Sequence, residues 1–243
     1  MKRPNRTRLY GLLCLIAATG QVQANAEVSP PVAAKRTDAR HLNDMLTEGG
    51  KLLRQGQPAE AIAKYFDPVI AEYEALREGS KKRYFSARNQ GEALIYAVLP
   101  AAAGASTDVE VLDANWGDAY LMKAYALTEL HRIGDAQDAL ESAIALSPMN
   151  SHYKSELAYT YQAQKDCDRS IALYAQAASD AEMASDESIK TEDLTRAWRG
   201  QGYCLVEQGK WTEAAAMYQR CLELDPNDSK AKRELQYVDE HRH

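Results

Sequence analysis

A pattern of small and aromatic residues returns along this chain every 34 residues, and no other feature restricts its fold as tightly. Ala124 and Ala158 stand 34 apart, as do Leu127 and Tyr161. One copy holds Tyr120, Ala124, Leu127, Ala136, Ala143 and Pro148. The next holds Leu157, Ala158, Tyr161, Ser170, Tyr174 and Ala177. The clearest holds Trp198, Gly202, Leu205, Gly209, Ala214, Tyr218, Cys221 and Pro226. In that copy Trp198, Gly202 and Leu205 step by four and three. Ala214, Tyr218 and Cys221 repeat the steps after a break at Gly209-Lys210. Each run draws one apolar stripe along a helix. Small residues at 202 and 221 let two axes approach to roughly 8–10 Å, and Pro226 cannot continue the second helix. One helix pair cannot bury its own apolar face. Successive pairs must stack, which makes a continuous core and a long concave surface.

These residues resemble the tetratricopeptide repeat family. The resemblance implies an all-α fold: a right-handed α-solenoid of antiparallel helix pairs with a C-terminal capping helix. Repeats are expected at about 42–75, 117–150, 151–184 and 195–228, within a solenoid over 41–243. In the first, Gly49, Leu52, Gly56, Ala61 and Tyr65 fit, and Pro68 predicts a kink in the second helix. Residues 77–116 read as a degenerate repeat with a helical run from Tyr84 to Leu99. Residues 181–194 read as an acidic insert, because Ser151 to Thr195 spans 44 positions instead of 34. Ala231, Leu235 and Val238 form a single stripe on a charged helix, 229–240, suited to cap the array.

The first residues read as a targeting segment. Lys2, Arg3, Arg6 and Arg8 precede a short apolar run, Leu9 to Gly20, and then small residues around Ala24 and Ala26. That order is expected of a signal peptide over 1–26; the other reading is a retained anchor. Residues 27–40, with Pro30-Pro31, read as a flexible leader. Removing the first 26 residues takes the 29 basic residues to 25 against 35 acidic ones, a net charge of −10. Such a balance argues against nucleic acid, whose affinity comes from phosphate neutralisation, and against an anionic membrane surface. Once the signal is cleaved, no membrane insertion is expected.

No nucleophile elbow, paired-histidine metal motif or phosphate loop occurs. No catalytic residue, metal site or cofactor is therefore assigned. Gly200-Gln201-Gly202 lies inside a helical stripe and reads as packing. The tyrosines carry more information. Tyr125, Tyr159, Tyr203 and Tyr237 take one place in successive units, away from the core stripe. The resemblance implies that this direction is the concave groove. Leu121, Glu129, His152, Gln162, Arg196, Arg199 and Glu207 share those faces, with Asp118. Arg196 and Arg199 suggest a clamp for a carboxylate. The competing reading is that the tyrosines only pack against neighbouring helices. Cys167 opens one second helix and Cys204 lies in the next first helix, on the face that should meet it. They read as a disulfide in an oxidising compartment or as two reduced buried thiols, while Cys221 reads as a small core residue.

Together these readings predict a non-enzymatic scaffold or adaptor of the bacterial cell envelope, periplasmic after export. It would bind an extended peptide or partner helix of another protein in its groove. The alternative is a structural, self-assembling envelope component whose groove is filled by another copy or by its own leader.

Overall fold

The computed structural model describes residues 38–241. The signal peptide and most of the leader lie outside the described residues. Helix α1 (Ala39–Arg54) is followed by α2 (Pro58–Ala61), a π-helical turn (Ile62–Phe66) and α3 (Asp67–Arg77). After β1 (Arg83–Ser86), α4 (Gln90–Ala102) and β2 (Val109–Leu112) come three helix pairs. These are α5 (Asn115–Glu129) with α6 (Ile133–Leu146), α7 (Ser151–Ala163) with α8 (Cys167–Glu182), and α9 (Glu187–Glu207) with α10 (Trp211–Leu224). Helix α11 (Ser229–His241) packs on the last pair. Each helix packs on its pair mate and on the next pair, so the chain is an α-solenoid.

The turn inside each pair is built alike. Gly56, His131, Lys165 and Gly209 all have φ between 59° and 73°. The residue after each donates its N–H back to the helix it leaves, as Lys210 does to the Leu205 carbonyl at 2.8 Å. This left-handed closure satisfies carbonyls that the helix end would orphan. Gly56 and Gly209 adopt it without a Cβ penalty. Asp38, Asn150, Asp166 and Asp186 cap the following helices through their side chains.

Small residues seat aromatic rings. A Cβ added at Gly49 would lie 2.4 Å from the Phe66 ring, and one at Gly117 would lie 2.6 Å from the Tyr153 hydroxyl. A Cβ added at Gly202 would lie 2.7 Å from the Tyr218 ring, and one at Gly200 would lie 2.1 Å from the Tyr174 ring. The requirement at 202 is thus a ring laid across the helix, more specific than a close approach of axes.

Two expectations change. Residues 77–116 are not a degenerate helix pair. They form a strand–helix–strand excursion in which β1 and β2 pair in parallel, Arg83 opposite Val109 and Ser86 opposite Leu112. The expected helix from Tyr84 begins only after Asn89, whose side chain caps it by accepting from the Glu92 N–H at 3.0 Å. Helix α5 still packs directly on α1 and α3, so the stack passes beneath the excursion. At Pro68 the helix runs on, with a π turn just before it in which the Asp67 N–H reaches the Ile62 carbonyl. A wider turn of this kind absorbs an irregular step in a helix.

The acidic insert lengthens α9 at its start, giving it 21 residues. It meets the excursion. Arg88, half-buried, bonds Glu92 at 2.7 Å and Asp193 at 2.9 Å, and Gly91 lies against Ser185. Both departures from the period are therefore joined by a largely buried charge network. Removing one partner of such a network strands the others in low dielectric.

Candidate functional site

An open cavity lies between α7, α9 and α11. It measures about 430 Å³ and is lined by Tyr159, Gln162, Tyr174, Arg196, Arg199, Gly200, Tyr203, Tyr218, Lys230 and Arg233. Ser155, Glu156 and Glu234 complete the lining. The two glycines on α9 shape it. Because Gly200 and Gly202 lack side chains, the Tyr174 and Tyr218 rings lie flat against the helix and become floor. Tyr174 donates its hydroxyl to Gln162 at 3.2 Å. The hydroxyls of Tyr218 and Ser155 are buried with no hydrogen-bond partner among the described residues. Buried polar groups without partners are uncommon, and two along one cavity are chemistry that a ligand can satisfy.

Tyr159 and Tyr203 stand at the rim, 50% and 43% exposed. Tyr237 is 45% exposed but lies outside the cavity. Its ring is stacked on His241 at 4.1 Å and tilted against Trp211 at 6.4 Å. Tyr125 is half-buried, with its hydroxyl 3.2 Å from His152 Nε2, while the same nitrogen lies 3.2 Å from Glu156. The four tyrosines therefore share a place in their helices without sharing one surface: two flank the cavity, one joins a polar cluster beside it, and one belongs to the cap.

Other sequence-assigned residues also divide. Gln162, Arg196 and Arg199 line the cavity. Leu121 does not: it is 6% exposed and packs in the core with Leu127 and Leu140. One turn of helix separates core from groove, and Leu121 falls on the core side. Glu129 is exposed at the last residue of α5. Glu207 borders a separate hollow with Cys167, Asp168 and Gln208. Asp118 accepts a hydrogen bond from the Tyr153 hydroxyl at 2.7 Å, and burial raises its carboxyl above the ordinary range.

The arginine clamp is corrected. Arg199 is paired with Asp228, the residue whose carboxylate also caps α11 by accepting from the Lys230 and Ala231 N–H groups, each at 3.0 Å. Arg196 bonds Asp193 at 2.9 Å and Glu192 at 2.6 Å. Both guanidinium groups are committed within the fold. Lys230 and Arg233 enter no ion pair among the described residues. Glu156 and Glu234 share the lining with them, which leaves the cavity electrostatically mixed. The sequence placed α11 in the groove through Tyr237, whereas the residues of α11 that line the cavity are Lys230, Arg233 and Glu234. The lysine and arginine at 230 and 233 share a face, and that spacing was the available signal.

Cys167 and Cys204 are brought together. They lie close together where α8 meets α9, and both are free thiols in this structure. Among the described residues no group of three or more His, Cys, Asp or Glu side chains is placed to hold a metal ion, and no helix is long and apolar enough to cross a membrane.

Two tetratricopeptide repeat family models match the chain, one over residues 121–188 and one over 195–228. No curated protein matches it. Similar solved structures include an Arabidopsis OM64 tetratricopeptide repeat domain, with 18% identity, a TM-score of 0.43, and coverage of 51% of this chain and 95% of that one. The first such domain of Spaghetti (RPAP3), bound to the HSP90 peptide SRMEEVD, has 23% identity, a TM-score of 0.39, and coverages of 51% and 90%. MamA from AMB-1 has 17% identity, a TM-score of 0.45, and coverages of 85% and 86%.

Proposed function

We propose that the tetratricopeptide repeats of residues 121–188 and 195–228 serve as a protein-interaction scaffold, holding an extended segment of a partner protein in the cavity between α7, α9 and α11. The observation that carries this reading is the pair of rim tyrosines, Tyr159 and Tyr203, above a floor with two unpartnered hydroxyls. Tyrosine supplies rigid apolar area with one polar tip. A groove set by helix packing loses little conformational freedom on binding. With its clamping arginines already paired, the cavity favours an apolar or aromatic side chain seated between the tyrosines. Long-range attraction to net charge adds little.

The segment order of residues 1–26 supports export to a bacterial periplasm, with a mature chain starting at Asn25 or Glu27. Amino-terminal sequencing of protein from the periplasmic fraction tests that. Capture from the envelope by the mature chain tests the groove. A true partner should bind Tyr203→Ala or Tyr159→Ala roughly 5–30-fold more weakly, equivalent to about 1–2 kcal/mol, and Tyr237→Ala nearly as well as wild type. Equal capture by all three variants refutes the groove. A second reading is self-association through α4 instead of through the groove, favoured by Leu94 and Val98, exposed at 72% and 60%. In that case Leu94→Glu would abolish a concentration-dependent dimer that the tyrosine variants leave intact.

A further inference from the structure

Cys167 is the first residue of α8, and Cys204 lies in the last turn of α9. They belong to neighbouring repeats, 37 positions apart, yet they lie close together where α8 meets α9. The surroundings of the pair are unequal. Cys204 is wholly buried, and the Ser170 hydroxyl near it donates to the Ala158 carbonyl at 2.9 Å. Burial first, and Cys167 second, push its thiol up to about 12. Cys167 is half-buried and opens onto a hollow lined by Lys165, Asp166, Asp168, Glu207 and Gln208. The third cysteine, Cys221, is buried elsewhere, with its sulfur 3.6 Å from the Thr195 carbonyl. Beside the pair, Gln208 donates to Asp168 at 2.9 Å, so α8 and α9 already meet here through a polar contact.

We propose that Cys167 and Cys204 form a site of oxidative modification, an inter-repeat disulfide made by exchange with a small-molecule disulfide that enters at Cys167. This reading does not depend on what the groove binds. Cys167 loses its proton and its sulfur attacks one sulfur of the small disulfide. A mixed disulfide forms, the small S–S bond breaks, and one small thiolate leaves. Cys204 then loses its proton and its sulfur attacks that of Cys167, expelling the second small thiolate. Two cysteine thiols are oxidised, one small disulfide is reduced, and the two protons pass to the leaving thiolates. The entry order follows from access, because attack requires an approach path to the sulfur. Cys204 acts second because it is shielded from solvent and lies beside its target. The bond ties the α7–α8 pair to the α9–α10 pair at one edge. It limits the twist between repeats that sets the spacing of Tyr159 and Tyr203.

The test is oxidation of the folded full chain by oxidised glutathione, followed by alkylation and mass measurement. Before alkylation the expected product is lighter than the reduced chain by about 2 Da, the two hydrogens removed, and after it the product carries two alkyl groups where the reduced chain carries four. A non-reducing digest should join the Cys167 and Cys204 peptides and return Cys14 and Cys221 alkylated. The melting temperature should rise by about 5–10 °C and fall back with dithiothreitol. In Cys204→Ser, the reaction should stop at a stable glutathione adduct on Cys167, about 305 Da heavier. An adduct that accumulates on Cys167 in the wild-type chain would overturn the proposal. So would a bond that includes Cys221, or a folded chain that stays reduced while the unfolded chain reacts.

Discussion

Gly200→Ala asks whether one missing methyl group builds the cavity floor. The native helix would gain from alanine, which is favoured over glycine in a helix interior by about 1 kcal/mol. Space decides against it. The new Cβ would lie 2.1, 2.3 and 2.5 Å from three carbons of the Tyr174 ring, where contact carbons sit at about 3.5–4.0 Å. The ring must therefore retreat by about 1 Å or more. It is packed in the core with Ala158, Ala177 and Ala197 and is held at its tip by Gln162. Overpacking costs about 1–3 kcal/mol, and the strained hydroxyl bond is worth about 1 kcal/mol. The net loss is about 1–3 kcal/mol, or roughly 2–10 °C in melting temperature for a domain of this size. Gly134→Ala is the control. It lies in α6 with nothing within 4 Å of its added Cβ, so it should stabilise by about 0.5–1 kcal/mol. Thermal and urea unfolding measure both. In a Tyr174→Ala background the clash disappears and Gly200→Ala should turn stabilising, so a double-mutant cycle reads the contact directly. If Gly200→Ala matches Gly134→Ala in the wild-type background, the floor is not built as described.

Two further changes test the electrostatics. Arg199→Ala strands the buried Asp228 carboxylate with only its cap bonds. It should cost about 1–3 kcal/mol, with amide exchange accelerated first in α11; unchanged α11 protection would show the pair to be idle. Asp118 has its carboxyl raised by burial, so the folded state holds its proton more tightly than the unfolded state does. That share of stability is present below the unfolded carboxyl range and is lost as pH rises through the folded one. Asp118→Asn stays neutral and can still accept from Tyr153. It should therefore gain on wild type as pH rises through and above the ordinary aspartate range, and a gap that is flat with pH would contradict the assignment.

The repeat, its helix pairs and the cap were legible because the information is local. Trp198, Gly202 and Leu205 name a stripe by spacing alone, and Pro226 stops a helix by covalent geometry. The 34-residue period then compels stacking, since no pair can bury its own face. The excursion at 77–116 was not legible, because strands of four residues such as Arg83–Ser86 carry too little alternation to outvote the apolar run beside them. Neither was the division of the tyrosines. Tyr125 and Tyr203 occupy one place in their helices, yet His152 draws the first into a polar cluster while the second stays open. Arg199 looked available as a clamp until the fold set Asp228 beside it, 29 positions on. Spacing along a chain determines which face of a helix a side chain occupies. What stands opposite that face, and so whether a charge is free or a ring is covered, is decided only when distant segments are packed together.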